Sequence, residues 1–349
     1  MQQTHFECSV SSPANLRTLA AAFQALARHG KDVVIEGSAT SLALRCINDS
    51  KSAFAQYLFS AAFFEALVCH EFFLSPEGHA AKVSLKTCLN VFRTLRQIER
   101  LVLSLVTIGA EHLLVFSAHC KHAVVKTHRC HFEQVLVLEA EFDADAAAHR
   151  VRVQPSLLVD AMQHIHGTDQ ITLECVAGLE LRVASHHPPS VAAGSKSTLR
   201  THMKVPAQDL DEFTVTEPVV SLTFSLNELA SVLTFCGAPG VSVDHLCLYL
   251  NGPGQPLLLT SWSVLRAQHG GAEQGAEQGD KVPDLFAVKL VVATLPSASA
   301  TQPPSSLLAA PASGRDQEME LGGEAEFLTV PPTQAEDQEA KRMREEEAF

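Results

Sequence analysis

The segment SLKTCLNVFRTLRQIER, residues 84–100, separates into two faces when it is wound as an α-helix at about 100° per residue. One face is apolar and is formed by Leu85, Cys88, Val91, Phe92, Leu95 and Ile98. The charged residues of the other face are all cations, namely Lys86, Arg93, Arg96 and Arg100. Because a solvated face usually mixes both signs of charge, this one indicates contact with a polyanion, and a solubilising surface is the alternative.

Helical periodicity also predicts three other amphipathic helices, at residues 15–29, 155–165 and 225–236. In the first, the inward face holds Leu16, Leu19, Phe23 and Leu26, and the outward face holds Arg17, Gln24 and Arg28. The outward faces of the other two are not basic, and they hold Asp160, Gln163, His164, Asn227, Glu228, Ser231 and Thr234. Ser225 followed by Glu228 predicts a capping box at the start of the last helix.

Runs with β-strand character lie between these helices. We predict strands at residues 33–35, 42–47, 53–59, 101–108, 113–117, 123–126, 170–175, 179–183, 219–224, 246–250, 256–261 and 286–294. Each half of the chain therefore has the order helix, several strands, helix, several strands. Because too many strands separate the helices for βαβ units, we predict an α+β fold of two similar domains with helices over antiparallel sheets.

Length and charge support this division. We divide the 349 residues into a domain at 1–132, a connector at 133–150, a second domain at 151–295 and a tail at 296–349. The net charge is −13, but residues 1–132 carry +4, residues 133–296 carry −10 and residues 297–349 carry −7. The anion-facing surface is therefore expected to be local to the first domain.

Composition also indicates the cellular compartment. The nine cysteines are scattered and form no CxxC pair, which is typical of proteins in a reducing compartment. No apolar run reaches the roughly 18–20 residues of a membrane span, and no signal segment is recognisable, so we expect a soluble intracellular protein. Segments 185–202 and 267–283 and the acidic tail are rich in small and polar residues, and we predict that the tail is disordered.

Four blocks of sequence resemble a known family when they are taken together. They are SLALRCINDSKSAFAQYLFSAAFFE at 41–65, VFRTLR at 91–96, HCKHAVVKTH at 119–128 and FAVKLVVATL at 286–295. Their order and spacing over about residues 1–296 resemble the Rad-nine family, the large subunit of the nine-one-one checkpoint sliding clamp. Segments 185–202 and 267–283 have no clear counterpart in that family.

The resemblance implies a fold similar to that of proliferating cell nuclear antigen, in which three subunits close a ring around duplex DNA. It implies a non-enzymatic, nuclear protein of the DNA damage checkpoint and DNA repair, without a cofactor. The implied partners are two different clamp subunits of the Rad-one and Hus-one types, a clamp loader, double-stranded DNA bound without sequence specificity, and a BRCT-domain adaptor that binds the phosphorylated tail. The short basic run Lys341 to Arg344 is a weak import signal, and a solvated chain end is its alternative.

The resemblance also assigns candidate site residues. Those expected to face the DNA channel are Arg17, Arg28, Lys86, Arg93, Arg96 and Arg100. Those expected to form an outer partner groove lie in the connector and are Val135, Leu136, Val137 and Leu138. Candidate phosphosites in the tail are Thr301, Ser313 and Thr333, which precede a glutamine or have an acid three residues later. Because the second domain lacks a basic helix face, we expect a heterotrimer rather than a homotrimer.

Other chemistry fits the residues less well. The thiols and imidazoles within residues 119–131 are zinc-ligand types, but their spacing follows no standard finger. The run 194–197 lacks the earlier glycine of a phosphate-binding loop, and the acid pairs of residues 139–145 fit an acidic connector as well as a metal site. We therefore predict no enzyme and no metal site. A homotrimeric replication-type clamp and a metal-dependent nuclease are the alternatives.

Overall fold

The structure is a computed structural model, and it describes residues 2–70, 79–137, 139–187, 199–262 and 285–296. The predicted tail after Pro296, with the phosphosites Thr301, Ser313 and Thr333, lies outside these ranges, as do Leu138 and the whole of segment 267–283. Of segment 185–202, the structure describes only the two ends.

The first half of the chain contains two helices and nine strands within the described residues. In chain order they are β1 (Gln2–Val10), α1 (Pro13–His29), β2 (Asp32–Gly37), β3 (Ser41–Ile47), β4 (Ala53–Ser60), β5 (Ala66–Cys69), β6 (His79–Ser84), α2 (Leu85–Leu89), β7 (Ile98–Ile108), β8 (Glu111–Cys120) and β9 (Val125–His131). A 3₁₀ segment, Val91–Gln97, follows α2.

The second half repeats this order after a short connector strand, β10 (Glu133–Leu136). Its elements are β11 (His149–Val153), α3 (Pro155–Gln163), β12 (Gln170–Val176), β13 (Glu180–His186), β14 (His202–Pro206), β15 (Glu212–Thr214), β16 (Val219–Ser225), α4 (Leu226–Cys236), β17 (Leu246–Leu250), β18 (Leu257–Trp262) and β19 (Phe286–Val292).

The described strands form three antiparallel sheets whose order reveals the duplication. One sheet has the order β5-β1-β7-β8-β9, and another has the order β14-β13-β12-β16. The largest sheet has the order β10-β6-β2-β3-β4-β19-β18-β17-β11-β15. It joins the four-stranded unit of the first half to the five-stranded unit of the second half through β4 and β19. The predicted α+β fold of two similar domains is therefore confirmed.

Helix α1 covers the sheets with the face that the periodicity of residues 15–29 predicted. Leu16, Leu19, Phe23 and Leu26 of α1 are buried, and the opposite side of the helix is exposed. Phe23 packs against Phe92 at 5.3 Å between ring centroids. Helix α1 also packs against α4, so the helices of the two halves lie side by side.

Aromatic rings also join the two halves beneath these helices. The ring centroids of Tyr57 in β4 and Phe235 in α4 are 4.8 Å apart in an edge-on arrangement, and Phe235 contacts Phe286 of β19 at 5.5 Å. The described residues form one compact unit. The proposed boundaries at residues 132 and 150 therefore stay predictions, and β10 places part of the connector in the largest sheet.

The single helix predicted at residues 84–100 is wrong. The α-helix ends at Leu89, the following segment is 3₁₀, and Thr94 has non-helical backbone angles (φ −112°, ψ 33°). From Ile98 onward the chain is strand β7, which pairs with both β1 and β8. Pairing with two neighbouring strands outweighs the local helical periodicity. The spacing of the apolar residues cannot reveal this pairing.

Three further local predictions are wrong. Glu228 and Ser231 of α4 are buried rather than exposed, and Ser225 makes no side-chain capping bond. The strand predicted at 123–126 starts only at Val125, because Ala123 lies in a turn with φ 60°. Asn227 and Thr234 of α4 are exposed, as predicted.

Candidate nucleic-acid interface

The exposed basic face is formed by α1 and the segment 85–97, which run antiparallel. Gln24 and Ala27, near the end of α1, share a concavity with Lys86 and Arg93. Nearer the start of α1, a second concavity is lined by residues of both segments, including Arg17 and Arg96. The antiparallel packing therefore brings together cations that are about 70–80 residues apart in sequence.

These cations are not neutralised by the protein. Arg17, Lys86, Arg93 and Arg96 are exposed, and among the described residues no carboxylate oxygen lies within 4 Å of their charged nitrogens. Neighbouring Lys31 differs, because its ammonium lies 2.6 Å from Asp49. Unpaired guanidinium and ammonium groups on one face are the donors that phosphate oxygens accept from.

Arg28 and Arg100 occupy different positions from these four. Arg28 Nη1 donates to Thr234 Oγ1 at 2.7 Å, so this side chain joins the exposed faces of α1 and α4. Arg100 lies on β7, where Nη2 donates to Ser9 Oγ at 3.2 Å and Nε lies 3.3 Å from Glu65. The structure therefore brings five of the six predicted cations to the helical face and leaves Arg100 on the sheet beside a carboxylate.

The hairpin of β8 and β9 adds two cations that the helical pattern did not predict. Lys121 lines the same concavity as Arg17 and Arg96. Lys126 Nζ donates to Thr94 Oγ1 at 3.4 Å and to Gln97 Oε1 at 3.2 Å, which places it beside the 3₁₀ segment. Both lysines belong to the segment 119–128, in which a basic hairpin between two strand-like runs was the available signal.

The helices of the second half present a different surface. The exposed side chains of α3 include Asp160 and Gln163, and those of α4 include Asn227 and Thr234. Neither helix carries a lysine or an arginine within its bounds. Among the helices that the structure describes, the basic face is thus confined to those of the first half.

A second surface is formed by the connector. Strand β10 pairs with β6, and Arg45 Nη2 donates to Glu139 Oε1 at 2.7 Å while Arg45 Nη1 also contacts Glu36. Lys289 Nζ donates to the carbonyl of Ala140 at 2.8 Å. These contacts hold the connector against the ten-stranded sheet.

Apolar side chains line the space beside the connector. Leu136 is 62% exposed and Ile47 is 40% exposed, and Val135 and Phe54 line the same depression. An adjacent depression is also lined by Ile47 and Phe54 and extends to Pro256, Val291 and Ala293. Of the predicted groove residues, Val135 and Leu136 lie here, Val137 follows them half-buried, and Leu138 lies outside the described residues.

A buried polar network lies between the groove and the basic face. The side chain of His29 in α1 is fully buried, and its Nδ1 contacts the carboxylate of Glu228 in α4. Asn48 Nδ2 donates to Glu228 Oε1 at 2.8 Å, and His29 Nε2 lies 3.2 Å from the carbonyl of Ala53. The carbonyl of Ala53 can only accept, so a hydrogen bond from Nε2 requires the proton to be on that nitrogen. This network was missed because its members are distant in sequence.

Within the described residues, no three His, Cys, Asp or Glu side chains come together in a way that could hold a metal ion. All nine cysteines are free thiols, and burial raises the pKa of Cys46, Cys88, Cys175 and Cys236 to about 12. In the same part of the chain, no helix is long and apolar enough to cross a membrane.

A model of the Rad9 family matches residues 19–269, which is more than half of the chain. The chain belongs to the Rad9 family. It is 25% identical to DNA repair protein rad9 of Schizosaccharomyces pombe over 285 residues, which cover 71% of this chain and 65% of that protein. It is 27% identical to cell cycle checkpoint control protein Rad9 of Drosophila melanogaster over 248 residues, covering 70% and 51%. The chain therefore spans between about half and two thirds of the length of these relatives.

Solved sliding clamps share the fold of this Rad9-family chain. PCNA from Thermococcus kodakaraensis has a TM-score of 0.58 at 16% identity, with 83% of this chain and 99% of that chain covered. PCNA from Entamoeba histolytica has a TM-score of 0.57 at 13% identity, covering 84% and 99%. At these identities the likeness establishes the fold, and the predicted sliding-clamp architecture is confirmed.

Proposed function

We propose that the chain is a non-enzymatic subunit of a heterotrimeric, DNA-encircling checkpoint clamp that acts in the DNA damage response and in repair. The observation that carries the proposal is the unpaired basic face of α1 and segment 85–97 on a sliding-clamp fold. The names of the relatives, a DNA repair protein and a checkpoint control protein, support the same process.

In this proposal the basic face lines the ring and contacts the phosphate backbone. Arg17, Lys86, Arg93 and Arg96 each supply a cation without a competing carboxylate, so displaced counterions favour binding. Contacts of this kind carry no sequence information, which suits a ring that slides along duplex DNA. The described helices α3 and α4 add no cation, so the strongest contacts are expected from one arc of the subunit.

Ring closure requires partners, for which we propose subunits of the Rad-one and Hus-one types and a clamp loader. The depression at Ile47, Phe54 and Leu136 on the connector side would receive apolar side chains of partner segments. An open apolar depression next to an unpaired strand edge suits an extended peptide. Strand β10 offers such an edge, since within the described residues it pairs only with β6.

The tail contributes through its sequence alone. Phosphorylation of Thr301, Ser313 or Thr333 would add charge and acceptor oxygens for a BRCT-domain adaptor. A nuclear location follows from the proposed role in the checkpoint and in repair, and the basic run 341–344 is compatible with it.

The first experiment is co-expression with Rad-one and Hus-one subunits, followed by light scattering. The proposal expects one copy of each subunit in the complex, whereas a homotrimer of this chain would support a replication-type clamp. Stoichiometric zinc or manganese in the purified chain, together with DNA cleavage, would instead support a metal-dependent nuclease.

The DNA-binding face is tested in the assembled complex by Arg93→Glu with Arg96→Glu. Loss of two phosphate contacts should weaken retention on nicked circular DNA at least tenfold and lower the salt slope by about 2. The matched control is Arg93→Lys with Arg96→Lys, which keeps a positive charge at both positions and should keep retention close to that of the natural chain. Equal retention by both variants would refute the assignment of the basic face.

A further inference from the structure

Within the described residues, the duplicated topology identifies two strands with an open edge whose counterparts in the repeat pair with each other. Within the ten-stranded sheet, β4 of the first half pairs with β19 of the second half. By their order in the repeat, β14 corresponds to β4 and β9 corresponds to β19. Yet in the described part of the chain, β14 pairs only with β13 and β9 pairs only with β8. Each therefore has one open edge where its counterpart is paired.

Both open edges are basic. Strand β9 carries Lys126 and Arg129 together with two histidines, and it has no carboxylate. Strand β14 carries His202 and Lys204, is preceded by Arg200, and also has no carboxylate from 199 to 206. Lys204 is partly compensated, because its ammonium lies 3.2 Å from Glu180 of the adjacent strand.

The paired seam inside the chain differs from these edges. Its strands are almost entirely uncharged, and the cation at the seam, Lys289, lies opposite neutral Gln56. Pairing β9 of one copy with β14 of another would repeat the seam geometry, but it would bring two carboxylate-free basic strands together. Like charges that face one another across a strand pair are destabilising, and charged edge residues are a common protection against self-pairing.

We propose that each open edge accepts an acidic edge strand of a different clamp-type subunit, and that matching positive charge prevents the chain from pairing with itself. The inference rests on the proposed function, because it takes the partner to be a ring subunit. It adds the chemistry of the partner, because the strand that faces each open edge is expected to carry aspartate or glutamate. A contact between two different edges is head-to-tail, so it propagates around a ring when the angle allows closure.

The test uses charge-reversed edges of the full chain. One variant combines Arg200→Glu and His202→Glu, which leaves the Lys204–Glu180 pair intact, and a second combines Lys126→Glu and Arg129→Glu. Each has one acidic and one basic edge and should self-associate at least tenfold more tightly than the wild type in sedimentation or light scattering. The variant with all four changes should be monomeric alone but should assemble when it is mixed with the wild-type chain.

The outcomes separate this inference from the proposed function. Raising the salt concentration should weaken the mixed assembly, since its pairing depends on opposite charge. The Arg93→Glu, Arg96→Glu variant changes charge on the helical face and should remain as monomeric as the wild type. If folded single-edge variants stay monomeric and the mixture does not assemble, the charge assignment of the edges is refuted. DNA retention by the natural complex would be unaffected by that result and would still test the clamp.

Discussion

Replacing Glu228 by alanine is expected to lower the free energy of unfolding by about 3–5 kcal/mol. The carboxylate is buried between α1 and α4, where it contacts His29 and accepts a hydrogen bond from Asn48 at 2.8 Å. Truncation removes the carboxylate that both His29 and Asn48 contact, and it leaves their buried polar groups without that partner. It also leaves a cavity where one methylene and the carboxylate had packed.

Two further variants separate the contributions of charge, hydrogen bonding and packing to this loss of stability. Glu228→Gln keeps the volume and the acceptor for Asn48, so only the charged part of the contact with His29 is lost, and we expect about 1–2 kcal/mol. Combining His29→Leu with Glu228→Leu removes both polar partners together, and such replacement of a buried pair recovers much of the loss. The exposed neighbour Asn227→Ala is the control and should change stability by less than about 0.5 kcal/mol.

The assay is urea unfolding followed by circular dichroism, with linear extrapolation to water. A cost below about 1 kcal/mol for Glu228→Ala would refute the buried network, because a solvated glutamate would then explain the result. Equal losses for the Ala and Gln variants would show that charge, rather than packing and the Asn48 bond, dominates the site.

Three other outcomes are expected. Burial raises the pKa of Cys46, Cys88, Cys175 and Cys236 to about 12. The folded chain therefore keeps protons that the unfolded chain releases near pH 8.5. The free energy of unfolding should fall as the pH rises above 8.5 toward 12. Stability that stays flat from pH 8 to about pH 10.5 in urea titrations would contradict the burial of these thiols. Arg45→Met should remove the tie to Glu139 at a cost of about 1–3 kcal/mol and speed amide hydrogen exchange in β10, and unchanged exchange there would show that the connector is held by other contacts. Ala123→Gly should raise stability by about 0.5 kcal/mol, because glycine relieves the left-handed backbone at φ 60°, and a lower melting temperature would contradict this strain.

Local periodicity was sufficient to predict the buried residues of a long helix, because the apolar stripe is contained within that one element. The inward residues of α1 were predicted correctly, since a seventeen-residue helix has room for a complete apolar stripe. Strand β1 was not predicted, although its alternation of buried Phe6, Cys8 and Val10 was a readable signal. The duplication of the two halves followed from counting strands between helices, without a precise boundary for any of them.

The failures arose where distant residues decide the structure. The spacing of Arg100 from Arg93 and Arg96 fits a helical face, but pairing with His119 of β8 makes Arg100 part of strand β7. Glu228 was placed outward because it is charged, but a histidine and an asparagine about 180–200 residues away satisfy it. The open edges of β9 and β14 also depend on sheet order, which no local pattern encodes.

The seam between β4 and β19 determines where the molecule can yield under load. Seven paired positions hold these strands together, and the Tyr57–Phe235 contact and the His29–Glu228 pair cross the same boundary above them. Bending the chain there would break a hydrogen-bond ladder, an aromatic contact and a buried ion pair at once. We therefore expect each subunit to behave as a stiff arc. A ring built from such arcs would open to admit DNA at a junction between chains, where a single pair of strands has to separate.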